Sequence, residues 1–331
     1  MKHLLAGPAA AVLGLSLLTG CAPDRGDASP AAPAGQADAA YPRTVEVPGD
    51  PPQRVTVPAR PTRIAALSPD VAEAAVELAG AGRLAAVPAS AANPSLSSHA
   101  EAMASVPVKL PPGTDPDPEQ IISLKPDLIL LTTRHGGEQD AREVLAQAGI
   151  PMIAITNGWR TLEEVERNLT VLGRALDAEA KARDLVAELD RRAAAVAEKI
   201  AGVTERPGVA ILSNQADRPF LNAADVLTSD LVRRAGGDLV AERIGWRTTG
   251  PVTAERLIAA RPDAILLVDV TGRGRDSFRA LLDDPAVAEL PAVRQGRVRL
   301  LPARISYATG GVRLADGLEE IARWLHPEAM R

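Results

Sequence analysis

Cysteine is almost absent from this chain: of 331 residues only Cys21 is one. No internal disulfide can form, so stability must come from a packed apolar core. Aromatic residues are nearly as scarce, three Trp, two Tyr and two Phe, which makes the place of each informative. Beyond His3 the histidines are His99, His135 and His326, scattered along the chain. A site for bare Zn²⁺ or Mn²⁺ wants clustered His and carboxylates, so no direct metal site and no cofactor is expected. Lysine is confined to positions 2, 109, 125, 181 and 199, leaving the positive charge almost entirely to Arg. The formal net charge of −5 argues against a nucleic-acid binder, which usually shows a basic face.

Motifs of catalysis are missing too. There is no Gly-x-Ser-x-Gly elbow, no His-Glu-x-x-His and no phosphate-binding P-loop. Gly272-Arg-Gly-Arg lacks a third glycine. The paired acids Asp115/Asp117 and Asp283/Asp284 lie beside Pro in loop-like sequence, where turn and cap roles suffice. The chain is not expected to be an enzyme.

What is present begins with a targeting segment over residues 1–20. Lys2 and His3 precede an apolar stretch from Leu4 to Leu18, too short for an ordinary transmembrane helix. Leu18-Thr19-Gly20-Cys21 is similar to the bacterial lipobox, in which Cys21 becomes the lipidated first residue. An ordinary secretory signal with a coincidental Cys is the alternative. Residues 21–42, rich in Ala, Pro, Gly and Asp without apolar periodicity, read as a disordered tether.

A helical run over residues 176–203 lies near the middle of the sequence. Ala and unbranched charged residues fill it, the types that lose least on becoming helical. On either side, short apolar strands alternate with helices, the pattern of parallel α/β sheets. The first half, residues 43–175, opens on a hairpin of Val45–Val47 and Val55–Val57. It continues with a strand at Arg63–Leu67, a helix capped by Ser68, a buried strand at Leu128–Leu131 and an amphipathic helix from Thr161 to Ala175. The second half, residues 204–331, has strands at Val209–Leu212, Ala264–Val268 and Arg297–Leu301, and a closing helix from Val312 to Leu325 that carries Trp324.

One block occurs twice. Glu119 to Leu131 (EQIISLKPDLILL) matches Glu255 to Leu267 (ERLIAARPDAILL). In both, Glu stands near a helix start and Pro-Asp separates the helix from a buried strand. With Arg63 to Pro69, Ala148-Gly149-Ile150-Pro151, Leu231 to Gly237 and Leu290 to Val298, these blocks resemble the substrate-binding proteins of ABC importers for ferric siderophores and cobalamin. The resemblance runs from Arg43 to Pro327. It implies two Rossmann-like α/β lobes, each with a mainly parallel sheet, joined by one long α-helix. It also implies an ABC permease dimer as partner, onto whose arginines Glu119 and Glu255, one per lobe, would dock. Bidentate Arg–carboxylate pairs are directional enough for such reading. A Glu in a first helical turn also offsets the helix dipole by ~0.3–1 kcal/mol, which is the simpler role for each residue alone.

Ligands of open α/β sheets bind beyond the carboxyl ends of the strands. The loops expected there are Ser68-Pro69, Thr133 to Gly136 and Asn157 to Arg160 in the first half, with residues 214–222, Trp246 to Thr248 and Arg304 to Tyr307 in the second. Trp159 and Trp246, as loop Trp beside Arg, suit a planar or anionic ligand; the alternative is that each covers its own core. Arg134, Arg247 and Arg304 together could receive an anionic chelate, unless each is an ordinary surface arginine. Ser68, His135, Arg218, Phe220 and Tyr307 complete the expected ligand-binding set.

By this resemblance the chain is a monomeric lipoprotein on the extracytoplasmic face of the cell membrane, extracellular or periplasmic, that delivers a ferric siderophore or similar iron chelate. Cobalamin or haem is the alternative ligand, and a sensor or partner-binding lipoprotein of the same fold the alternative role.

Overall fold

The opening hairpin of the computed structural model pairs β1 (Arg43–Val47) with β2 (Gln53–Val57) antiparallel, and its buried residues are Val45, Val47 and Val57. The structure describes residues 41–49, 51–111, 115–156, 158–215, 218–307, 311 and 313–331. The expected leader, Cys21 and the tether as far as Ala40 lie outside the described residues, as do Asn157, Ala216 and Asp217 of the expected site loops and Val312 at the expected start of the last helix. Tyr41, placed by sequence in the tether, instead packs against the core, with the Arg43 guanidinium 4.6 Å from its ring centre.

The first lobe is built on β3 (Ile64–Ala66), β4 (Leu84–Pro88), β5 (Val108–Leu110), β6 (Leu128–Thr133) and β7 (Met152–Thr156), in the spatial order β5-β4-β3-β6-β7 and parallel throughout. Every residue of β6 is buried, as a central parallel strand covered on both faces requires. Around this sheet lie α1 (Pro69–Ala79), α2 (Pro118–Ser123), α3 (Gly136–Gln147) and α4 (Leu162–Leu176).

The second lobe's sheet is mainly parallel with an antiparallel edge. The strands β8 (Gly208–Gln215), β10 (Asp238–Leu239), β12 (Ala264–Asp269) and β13 (Val298–Pro302) are parallel. By contrast β9 (Arg218–Leu221) runs antiparallel to β8, and β11 (Gly250–Pro251) antiparallel to β9. The stretch read as a loop over residues 214–222 is therefore mostly hairpin strand. Pro219 within it carries no ladder N–H and hides the strand signal. The helices of this lobe include α6 (Leu227–Arg234), α7 (Ala254–Ala260) and α8 (Leu314–Leu325). Among the described residues no helix is long and apolar enough to cross a membrane.

Between the lobes runs α5 (Glu179–Ile200), 22 residues and so about 33 Å long. It is no free-standing strut. Ala182, Leu189 and Val196, seven apart, are its buried stripe, and they join one apolar cluster that is continuous from the first lobe into the second. At its start, Asp177 is in the left-handed conformation (φ 58°) and pairs with Arg43 and Arg60. A Cβ on Gly173 of α4 would stand 2.4 Å from that of Ala182, so the two helices meet almost backbone to backbone. Farther along, Arg192 binds Glu319 and Asp316 of α8, both at 2.8 Å. Hydrogen bonding to Glu319 and Asp316 outweighs burial and holds its guanidinium above the ordinary value. The lobes also touch directly, since Asp230 of α6 accepts the N–H of Leu162 at the start of α4 (3.1 Å) and Arg234 bridges Asp230 and Glu163.

The repeated block folds alike in both lobes. Lys125 (φ 50°) and Arg261 (φ 43°) each leave a helix in the left-handed region, and the Pro-Asp that follows leads into the buried strands β6 and β12. Asp117 and Thr253 cap the preceding helices, accepting from Glu119 and Gln120 N–H and from Arg256 N–H respectively. Glu119 and Glu255 thus hold the same place, two residues after the cap, and both are exposed.

Candidate functional site

The first lobe's part of the site is organised by Asp70, a residue that sequence alone passes over as a first-turn acid of α1. Its carboxylate is almost fully buried, 1% exposed. One oxygen accepts the Thr132 hydroxyl at 2.7 Å and the Val71 N–H at 2.7 Å; the other accepts the Arg134 guanidinium. Thr132 in turn accepts the indole N–H of Trp159 at 3.0 Å. An indole nitrogen can only donate, so the Thr132 proton is directed onto Asp70. The resulting chain, Trp159 to Thr132 to Asp70, fixes the acceptor that Arg134 meets.

Two expected residues are corrected here. Trp159 is 3% exposed and belongs to the core; the loop before α4 turns its ring inward, where it has both apolar neighbours and a hydrogen-bond acceptor. Ser68 is buried as well and does not cap α1 with its side chain. Its hydroxyl accepts the Thr132 N–H at 2.9 Å and donates to the Thr132 carbonyl at 3.3 Å, cross-linking the ends of β3 and β6.

Arg134 itself remains partly open, 27% exposed. Burial would lower its guanidinium, but Asp70, Tyr307 and Glu138 together raise it above the ordinary value. Tyr307, half-buried at the end of the short helix Ala303–Ser306, belongs to the second lobe and is among the groups whose electrostatics reach Arg134. Glu138 is buried and accepts the backbone N–H of Arg134 at 2.5 Å and of His135 at 2.9 Å. The more exposed His135 ring lies 3.3 Å from the same oxygen.

The other arginines do not converge on Arg134. Arg304 points its guanidinium at the Pro94 carbonyl (3.1 Å) and, through its backbone N–H, holds the Ser95 carbonyl. It lines a flanking recess of about 720 Å³ with Glu77, Ser97, His99 and Arg313. Arg247 is exposed beside a different recess, with Asp225, Glu242 and Trp246. The two differ in reach: Arg304 crosses to the first lobe's Pro94 and Ser95 carbonyls, whereas Arg247 stays beside Asp225 and Glu242 of its own lobe. Trp246 packs against the second lobe's core, donates to the Leu221 carbonyl at 3.1 Å and has Arg256 5.0 Å over its ring. It is part of that lobe's wall and not a free-standing platform. Arg218 and Phe220 lie together on β9, the guanidinium 5.5 Å from the ring centre.

A polar knot that sequence reading missed closes the ends of β8 and β12. Asp269 accepts from Asn214 (2.8 Å) and from the N–H groups of Gly272 (2.9 Å) and Gly274 (2.8 Å). Burial would raise its carboxyl, but Asn214 and these N–H groups hold it below the usual range. The only sequence signal is Asp at the end of an apolar strand before glycines.

Two α/β lobes on a shared long helix, touching where Arg304 of the second bonds the Pro94 and Ser95 carbonyls of the first, have the architecture of a two-lobed binding protein. The chain belongs to the periplasmic binding protein family, whose sequence model matches residues 64–305. A Bacillus subtilis protein, the uncharacterized ABC transporter substrate-binding lipoprotein YvrC, is 25% identical over 217 residues, 64% of this chain and 66% of its own length. The ferric-anguibactin-binding protein FatB of Vibrio anguillarum is 24% identical over 205 residues, 59% of this chain and 61% of its own. The matched regions thus span less than two thirds of either relative. Among solved structures, the fold is similar to the apo periplasmic heme-binding protein RhuT of Roseiflexus sp. RS-1, with a TM-score of 0.69 at 23% identity over 81% of this chain and 99% of that one. It is also similar to Helicobacter pylori CeuE with Ni(II) bound, with a TM-score of 0.70 at 21% identity over 87% and 90%.

Proposed function

We propose that this protein captures an iron chelate, a ferric siderophore in the first place, between its two lobes and delivers it to an ABC permease dimer. The placement of Arg134 just after β6 in the first lobe and of Tyr307 after β13 and its short helix in the second carries this reading, since both follow the carboxyl ends of parallel strands, where ligands of such sheets bind. A guanidinium and a phenol hydroxyl are suited to the oxygen-rich rim of a chelate. The names of the relatives support the ligand class, ferric anguibactin for one and haem for another, and haem is the second candidate.

Glu119 and Glu255 are the proposed permease contacts. Both are exposed, both stand two residues after a helix cap, and each sits on its own rigid lobe. The Glu255 carboxyl is held below the usual range by its own backbone N–H and by Thr253, which keeps it charged for an arginine partner. Cys21 is the proposed lipid attachment, placing a monomeric protein on the outer face of the cell membrane.

Tryptophan fluorescence titration against ferric siderophores, haem and cobalamin tests the reading. Saturable quenching by an iron chelate is the expected result. Failure of every iron chelate to bind would overturn it.

A further inference from the structure

We infer that Asp70 makes the first lobe's face of the site electrically neutral or slightly negative, so that the protein selects iron chelates of low net charge and discriminates against polyanionic ones. This deepens the proposed function and rests on it.

The charge balance is local and built in. Arg134 is the cation just after β6 at this lobe's strand ends, and its guanidinium is already paired with Asp70. Asp70 cannot turn away, because both its oxygens are engaged by Thr132, Val71 and Arg134, and Thr132 is itself locked by Trp159. A second buried carboxylate, Glu138, accepts two backbone N–H groups beside the same arginine. One guanidinium, paired with Asp70, thus shares this loop with a second buried carboxylate, Glu138, whose nearest side-chain partner is the His135 ring. Of the other expected arginines, Arg304 is held on the Pro94 carbonyl and Arg247 stands at the separate recess beside Trp246, Asp225 and Glu242, so neither is bonded to the Asp70–Arg134 pair.

A site built to receive a trianion would leave its guanidinium forks open, since paired charges cancel at the range of a bound ligand. Here Arg134 can still donate hydrogen bonds from its remaining N–H groups, but it brings no net charge with them. An uncharged ferric trihydroxamate fits that description. A trianionic ferric tricatecholate meets two carboxylates for one guanidinium. Singly anionic ferric haem falls between them.

The test is fluorescence titration of the full chain with these three probes at low and moderate salt. The trihydroxamate is expected to bind tightest, with affinity changing little with salt, as for an uncharged ligand. Asp70→Asn frees the guanidinium and should strengthen tricatecholate binding about tenfold relative to trihydroxamate binding, the scale of one screened charge near the ligand. Should Asp70→Asn fail to fold, Arg134→Gln serves instead. It leaves both acids uncompensated, so tricatecholate binding should fall about tenfold more than trihydroxamate binding. Wild-type protein that prefers the tricatecholate, or variants that shift both probes alike, would overturn the inference and leave iron-chelate capture standing. Failure of all three probes to bind would remove the chelate reading itself, and this inference with it.

Discussion

Asp127 and Asp263 make the same reciprocal clamp in the two lobes. Asp127 accepts the Arg63 N–H at 2.9 Å and donates its own N–H to the Arg63 carbonyl at 3.0 Å. Asp263 does the same with Gly208, at 2.7 and 2.8 Å. Each clamp joins the start of a central strand to the start of its parallel neighbour, β3 to β6 and β8 to β12. The Pro-Asp of the sequence repeat is thus a device for setting strand register.

Removing either clamp should weaken its own lobe. Asp127→Ala and Asp263→Ala are each expected to cost about 1–2 kcal/mol, the scale of hydrogen bonds to a charged acceptor discounted for exposure. Because the sites are in different lobes, the double variant should lose roughly the sum. Urea unfolding measures both effects; a double variant no weaker than either single one would contradict the clamp role.

Reversing the charge of both proposed permease contacts separates binding from delivery. Glu119→Arg with Glu255→Arg should abolish uptake in cells while chelate affinity of the purified protein stays within about twofold, since neither residue is near Arg134 in sequence or sheet position. A matched loss of affinity would show that these residues serve the ligand and not the permease.

Gly317 in α8 allows the chain before Tyr307 to lie against that helix. A Cβ there would stand 1.8 Å from the Ile305 carbonyl oxygen, so Gly317→Ala must displace the Ala303–Ser306 segment. Helix propensity alone would favour Ala by about 1 kcal/mol. The overpacking is expected to reverse the sign and leave a net loss of about 1–3 kcal/mol, with chelate binding weakened through Tyr307. A variant with unchanged unfolding midpoint and unchanged affinity would refute this account of the glycine.

Where α4 meets α5, Glu166 is pushed up to about 7, by burial first and then by its hydrogen bond to Asp190 and the nearby charges of Asp190 and Glu163. An acid whose value is raised in the folded state holds its proton more tightly there than in the unfolded chain, where the value is 4.5. Its contribution is therefore fully present below pH 4.5 and is lost as pH rises through 7. Glu166→Gln removes that loss. The fall in thermal midpoint between pH 5 and pH 8 should be smaller in Glu166→Gln than in wild type, by roughly 2 °C or more; parallel falls would show that Glu166 does not titrate in this window.

Much of this architecture is legible in the residues themselves. Fully apolar runs such as Leu128–Leu131 and Ala264–Val268 announce buried parallel strands, and the doubled Glu…Pro-Asp block announces two lobes of like construction. The long Ala- and charge-rich helix falls within the span expected of it, shorter at both ends because Asp177 takes the left-handed conformation and the helix stops at Ile200. The hairpin of β8 and β9 was not legible, since Pro219 and its polar neighbours look like a loop until Gln215 and Arg218 are paired.

The site divides differently. Sequence by itself determined which loops follow strand ends, and hence that Arg134 and Tyr307 are available there, because strand period and helix caps are local properties of the chain. Only the tertiary structure decided that Trp159 turns inward, that Arg304 reaches Pro94 and Ser95 of the other lobe, and that Asp70 stands behind Arg134. Those outcomes depend on which distant groups compete for each hydrogen bond and each apolar surface, as Thr132 does for Trp159 across 27 positions of chain. No local pattern carries that competition, and the charge proposed for the site rests on it.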